Sequence, residues 1–279
     1  MREGFFPSLK TTKMKIIPII FMLSLLSICS FSKDKIVTEY QYSLSGLGFG
    51  QQKVSFLSPI FYNASSLVSS RGNVKATKNR ISIFDTETDI GINYNKAGST
   101  FYSFDFDLSY SKYYLLKIKD YPASFPDLYA GWGYWLNTDF YIKPDNTNNP
   151  FYYNFNNLVC FGIYCEKKIQ KVKISNEFRL SIFGIFSGSE YSSGLPYFLT
   201  EEDASFFQAF DIGSFKTDCR GSNKLNVDFR MNTKKKVRTF RLQYEINSSV
   251  LSLNGNIKHN IFHIFKIGYL YNLSNYEHP

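Results

Sequence analysis

Three histidines and many carboxylates are the residues in this chain whose types could do chemistry. A serine or water nucleophile needs a base placed to take its proton, and histidine is the usual one. His278 lies in the C-terminal tail. His259 and His263 lie where the last long alternating segment begins, and His263 shares the parity of Phe265 and Ile267. No serine-containing motif neighbours either of them, so both read as rim residues. Proteolysis or lipid modification at the rim is the enzymatic reading they leave open. Asp105 and Asp107 share one face of a segment, but any alternate pair does, so their spacing carries no signal for acid–base catalysis. The four cysteines have no metal-ligand spacing. Cys160 and Cys165 on one strand would stand about 16 Å apart, too far for a disulfide. No catalytic, cofactor-binding or metal-ligating residue is assigned.

What must position these groups is a sheet. Between Thr100 and Ser111, the residues Tyr102, Phe104, Phe106, Leu108 and Tyr110 fall on one face, opposite Ser103, Asp105, Asp107, Ser109 and Ser111. The same period recurs in Val37 to Leu47, Phe84 to Tyr94, Leu128 to Ile142, Val172 to Ile182, Lys224 to Met231, Phe240 to Ile246 and Ile261 to Leu273. A helix would scatter these residues around its axis. One apolar face and one polar face suit a wall between lipid and a polar interior. Aromatics make up 18% of the chain while mean hydropathy is only −0.22, as expected when each membrane-facing residue alternates with a lumenal one.

The fold class predicted is therefore all-β: an antiparallel transmembrane β-barrel with a filled interior. Ten strands are expected, near 36–47, 65–76, 79–95, 100–117, 127–143, 152–168, 171–186, 222–232, 236–250 and 259–273. Segment 65–76 is the least patterned. If Phe206 to Thr217 enters the sheet with a partner, the number becomes twelve. Short turns such as 232–235 and 167–170, against the long Ser187 to Asn223, fit periplasmic and extracellular faces, with both termini in the periplasm.

Residues 1–32 read as a cleaved signal peptide. Lys13 and Lys15 precede the apolar run Ile16 to Ile28, which is too short to span a bilayer as a helix. Met14 is the more usual start, which makes 1–13 an upstream extension. Residues 33–279 form the single barrel domain. Cys29 is an alternative lipidation site, although Ile28 is a poor residue before such a cysteine. The net charge of +9 gathers near turns and chain ends, where Lys75, Lys78 and Lys234 to Lys236 would meet anionic headgroups; nucleic acid is not an expected partner.

On the polar parity lie Asp85, Glu87, Asp89, Asp105, Asp107, Asp139, Glu177, Arg179, Asp228, Arg230, Arg241, Glu245 and Lys266. A barrel of eight to ten strands is about wide enough for its own side chains, so these groups are expected to form a paired, structural network. Membrane-interface aromatics are expected at Tyr94, Tyr102, Phe140 and Tyr152 on one rim and at Tyr40, Tyr42, Tyr113, Tyr269 and Tyr271 on the other. The long loop carries Phe198, Glu201, Glu202, Asp203, Phe206 and Phe207, a candidate partner surface or a lid over the barrel.

The segment Ser58-Pro59-Ile60-Phe61-Tyr62-Asn63 precedes an alternating strand, and the last strand ends Ile267-Gly268-Tyr269-Leu270-Tyr271-Asn272-Leu273. In this plan the chain resembles outer-membrane barrels of the Bacteroidota that carry no assigned reaction. It departs from them in the tail Ser274 to Pro279, where such barrels often stop at an aromatic. The resemblance implies assembly into the membrane and no assigned reaction. The expected role is that of a non-enzymatic protein of the Gram-negative outer membrane, a structural component or subunit of an envelope complex. Its expected partners are outer-membrane lipid, the barrel-assembly machinery and an envelope protein. The alternatives are a channel for small solutes and an enzyme at the rim.

Overall fold

The computed structural model describes residues 38–55, 57–118, 122, 124–146, 150–188, 211–214, 218–232, 237–253 and 256–274. Their strands are β1 Thr38–Val54, β2 Tyr62–Thr77, β3 Arg80–Tyr94, β4 Thr100–Leu115, β5 Asp127–Ile142, β6 Phe151–Ile169, β7 Val172–Gly188, β8 Asp211–Ser214, β9 Asp218–Asn232, β10 Val237–Leu253 and β11 Asn256–Ser274. The signal-peptide reading of 1–32, Cys29 and the loop residues Phe198, Glu201, Glu202, Asp203, Phe206 and Phe207 lie outside the described residues.

Every neighbouring pair is antiparallel, and β11 returns to β1 to close a ring of ten strands. The closing seam runs from Glu39↔Ser274 to Val54↔Lys258. Strand β7 pairs onward with β9, so β8 stands aside from the ring and pairs with Phe183 to Phe186 near the end of β7. Of the Phe206 to Thr217 segment, the described residues Asp211–Ser214 form a four-residue strand outside the ten-strand ring. Closure satisfies the ladder groups of every strand, which an apolar membrane requires.

Strand β1 begins and β11 finishes at one end of the barrel, called the terminal end; at the other, the loop end, β1 gives way to β2, β3 to β4 and β5 to β6, and β7 ends and β9 begins. Two-residue turns at Lys78-Asn79 and Gln170-Lys171 close hairpins at the terminal end, and Gln170 there takes a left-handed φ of 51°. The expected asymmetry is incomplete. Strands β4 and β5 are joined over eleven residues at the terminal end, while β10 and β11 are separated by only two residues at the loop end.

The outer wall carries exposed Ile90, Ile92, Tyr102, Phe104, Ile142, Phe161, Phe265 and Ile267, an extensive apolar surface that a soluble protein would not leave bare. The predicted parity holds on β3, β4, β5, β7, β9, β10 and β11. On β1 the apolar face is the wrong guide. Tyr40, Tyr42 and Leu44 point into the lumen, where they are 2%, 4% and 0% exposed, while Ser45, Leu47, Phe49 and Gln51 face outward. Tyr113 and Tyr152 are likewise lumenal, so these four tyrosines do not belong to the interface girdle; Tyr94, Tyr102 and Tyr269 are exposed on the outside. The cause is that the two ends of this lumen are themselves packed with aromatic rings, so an apolar face can be an inner one.

Strand β2 is the other departure. Its outward residues are Asn63, Ser65, Leu67, Ser69, Arg71, Asn73 and Lys75, which leaves Leu67 as the lone apolar side chain on that face.

Candidate functional site in the lumen

The lumen is stratified. At the terminal end, Tyr40, Tyr42, Leu44, Val74, Ile81, Ile83, Tyr113, Tyr129, Tyr164 and Leu270 form one buried cluster. At the loop end, Val54, Leu57, Tyr62, Phe101, Tyr141 and Tyr152 form another. Trp135, Leu158, Cys160, Phe186 and Leu251 fill one flank between them, and Ala64, Val68, Phe262 and Ile264 the opposite flank. The charges occupy what remains.

Near the terminal end, the Arg241 guanidinium donates to both Asp228 oxygens at 2.6 and 2.8 Å and to Tyr40 Oη at 3.1 Å. It lies 5.0 Å from the Tyr42 ring centre, so a cation–π contact joins the bidentate pair. That requirement explains why tyrosines face inward here. Tyr113 donates to Glu177 Oε1 at 2.6 Å, and Arg179 stands 3.9 Å from the same oxygen. Arg230 is half-buried at this end, in register with Thr239.

At mid-height the pairs reach across the barrel. Lys224 on β9 contacts Asp85 on β3 at 2.6 Å, five strands away around the ring and therefore diametrically opposite. Lys266 on β11 bonds both Glu87 on β3 and Glu245 on β10, the latter at 2.7 Å, and Lys224 stands 3.6 Å from Glu245. Arg220 contacts Asp107 at 2.8 Å, and Asp107 also accepts from Trp135 Nε1 and from Asn137, each at 2.9 Å. Arg179 and Arg220 lie 4.4 and 4.0 Å from the Trp135 ring centre.

Above them Lys258 on β11 bonds Asp139 on β5, a second diametric strut, and Asn154 donates to Asp139 at 3.2 Å. Asp105 accepts from Tyr141 Oη at 3.4 Å, and Gln52 donates to the same hydroxyl at 2.7 Å. Asp89 accepts from Ser66 at 2.8 Å. At the loop-end rim, a 2.7 Å hydrogen bond from Lys143 holds the Asp145 carboxyl below the usual carboxylate range.

The structure places Asp105, Asp107, Asp139, Glu177, Arg179, Asp228, Arg230, Arg241 and Glu245 inside the barrel, and brings Asp105, Asp107, Asp139, Glu177, Arg179, Asp228, Arg241 and Glu245 into the contacts given above. Sequence reading missed Arg220, Lys224, Lys258 and Trp135 as members of the network. Arg220 and Lys258 were lost because β9 and β11 begin at 218 and 256, earlier than the expected 222 and 259, whereas Lys224 lies inside the expected strand on its polar face and was not counted with the inward charges. Lys258 has the parity of Lys266, so extending the last strand would have found it. The space left among Asp85, Glu87, Asp107, Ser109, Trp135, Arg179, Lys224 and Glu245 is about 10 Å³, the room of a single water.

Outside, His263 Nδ1 lies 2.8 Å from Tyr244 Oη, with the two rings stacked, and His259 packs against Phe61 at 6.4 Å between ring centres. Both histidines therefore sit on the outer wall with aromatic neighbours. Among the described residues Cys160, Cys165 and Cys219 form no disulfide.

Ring closure, apolar exterior and packed interior define an outer-membrane-type β-barrel of ten antiparallel strands. The chain is similar in fold to several solved structures. The outer-membrane protease OmpT from Escherichia coli is 10% identical, with 87% of this chain and 99% of that chain covered at a TM-score of 0.42. The translocator domain of the autotransporter NalP from Neisseria meningitidis is 6% identical, with 93% and 96% covered at 0.38. The transport unit of the autotransporter AIDA-I from Escherichia coli is 10% identical, with 90% and 96% covered at 0.29. These likenesses concern architecture alone. No protein-family model matches the chain, and no curated protein sequence does.

Proposed function

We propose that this chain resides in the Gram-negative outer membrane as a non-enzymatic structural protein, a subunit of an envelope complex. The observation that carries this reading is the pair of diametric struts, Lys224 to Asp85 and Lys258 to Asp139, lying between two aromatic plugs. Among the described residues the central lumen, bridged across its full width, has room for about one water, and its charges are used in holding opposite walls together. The surfaces free to act are then the outer wall and the loop end. The aromatic settings of His259 and His263 support the non-enzymatic side of the proposal.

The test is the size of the native assembly. Extracted from its own membranes in mild detergent, the barrel should migrate in native electrophoresis well above the 32.3 kDa chain with its micelle, together with a second protein species. Migration as a lone barrel would contradict the subunit role.

A further inference from the structure

Strand β2 does not fit a wall that faces only lipid. An apolar belt about 25 Å tall, crossed at about 40°, takes about ten residues of a strand and so about five outward positions. On β2 every run of five outward residues between Asn63 and Lys75 contains Leu67 and four polar side chains. The belt has no complete passage there, whichever height the membrane takes. The neighbouring strands continue the patch, with Ser43 and Thr86 in register with Arg71, and Ser45 and Thr88 in register with Ser69.

Arg71 is the centre of this patch. It is exposed, and among the described residues it has no ion-pair partner, whereas Lys75 four residues below is joined to Glu39 at 3.0 Å. Lipid headgroups account for charges at the rim of a barrel, but not for a strand that is polar along its length. A second copy is also excluded by the charges. Copies in one membrane meet at equal heights about an axis along its normal. Among the described residues the only outward-facing carboxylate of the ring strands is Glu39, already held by Lys75 at the terminal end. Two copies would leave Arg71 without an anion.

We infer that the outer face of β1 to β3, centred on Arg71, is the docking surface for a different membrane-embedded protein, one that presents hydrogen-bond acceptors and a carboxylate at the height of Arg71. The serines at 43, 45, 65 and 69 keep the wall low enough for close approach, as small residues do at interfaces within membranes. This inference rests on the subunit reading and locates its interface.

The experiment places a photo-reactive benzoyl-phenylalanine at Ser69, or at Leu136 on the β5 wall as a control, in the full chain in native membranes. Folding of each variant is confirmed by heat-modifiable migration. The Ser69 probe should yield a discrete adduct with another protein, reduced at least tenfold by Arg71→Glu and retained by Arg71→Lys, while the Leu136 probe yields lipid adducts alone. Lipid adducts alone at Ser69, an adduct with a second copy of the chain, or a protein adduct indifferent to Arg71→Glu would each overturn it. If the Ser69 probe fails while the barrel still migrates as a large assembly, the docking face is wrong and the subunit reading stands. If the barrel migrates alone, both fall.

Discussion

Lys266→Met should destabilise the barrel by about 3–5 kcal/mol, the cost of removing one partner from a buried ion pair. Its ammonium is fully buried and joins Glu87 to Glu245, two acids on different strands. With the lysine gone, Lys224 retains Asp85 at 2.6 Å and stands 3.6 Å from Glu245, leaving Glu87 without its direct cation. The loss therefore comes from stranded carboxylates more than from a missing attraction. A triple variant, Lys266→Met with Glu87→Gln and Glu245→Gln, should recover most of the stability, because it removes the stranded charges along with their counter-ion. Unfolding in urea from lipid vesicles measures both. A triple variant no better than the single one would show that these charges are not a coupled unit.

Gly268→Ala should cost about 3 kcal/mol, the upper end of what overpacking usually costs. Gly268 sits on the closing seam opposite Leu44, and a methyl there would lie 1.9 Å from the Ser43 carbonyl oxygen and 2.8 Å from Leu44 Cα. Gly46 faces the same difficulty from the other strand, 1.9 Å from the Phe265 carbonyl oxygen. Backbone atoms cannot rotate away as a flexible side chain can, so β1 and β11 would have to separate locally. Gly221→Ala on β9 is the control: its nearest atoms lie at 3.7 Å, an ordinary contact, and its stability should change by no more than about 0.5 kcal/mol. Equal melting of the two variants in the same vesicles would mean that the seam is not closely packed at Gly268.

How much of this was readable in advance follows from what period two can and cannot say. Alternation assigns residues to two faces, and where one face held Asp105 and Asp107 and the other Phe104 and Phe106, the inside was unambiguous. On β1 it was not. Tyr40, Tyr42 and Leu44 oppose Glu39, Gln41 and Ser43, and the apolar set went inward because Arg241 needs aromatic faces and the end of the barrel needs a plug. Nothing local to residues 38–45 announces Arg241, two hundred residues away in sequence. The expected ten-strand ring was legible because turns and alternation are local; pairings such as Lys258 to Asp139 were not, because they depend on where strands begin and on which staves end up opposite one another. The polarity of β2 was visible as weak patterning in 65–76, and its significance emerged only once ring closure fixed which side chains face outward.

The most direct test of a lumen bridged from wall to wall is electrical. In planar bilayers into which incorporation of the folded barrel has been verified by its heat-modifiable migration, the protein should remain silent, with no unitary current steps at either polarity. Steady ohmic openings in the unmodified chain would mean that the struts from Lys224 to Asp85 and from Lys258 to Asp139 do not close the lumen, and would contradict the account.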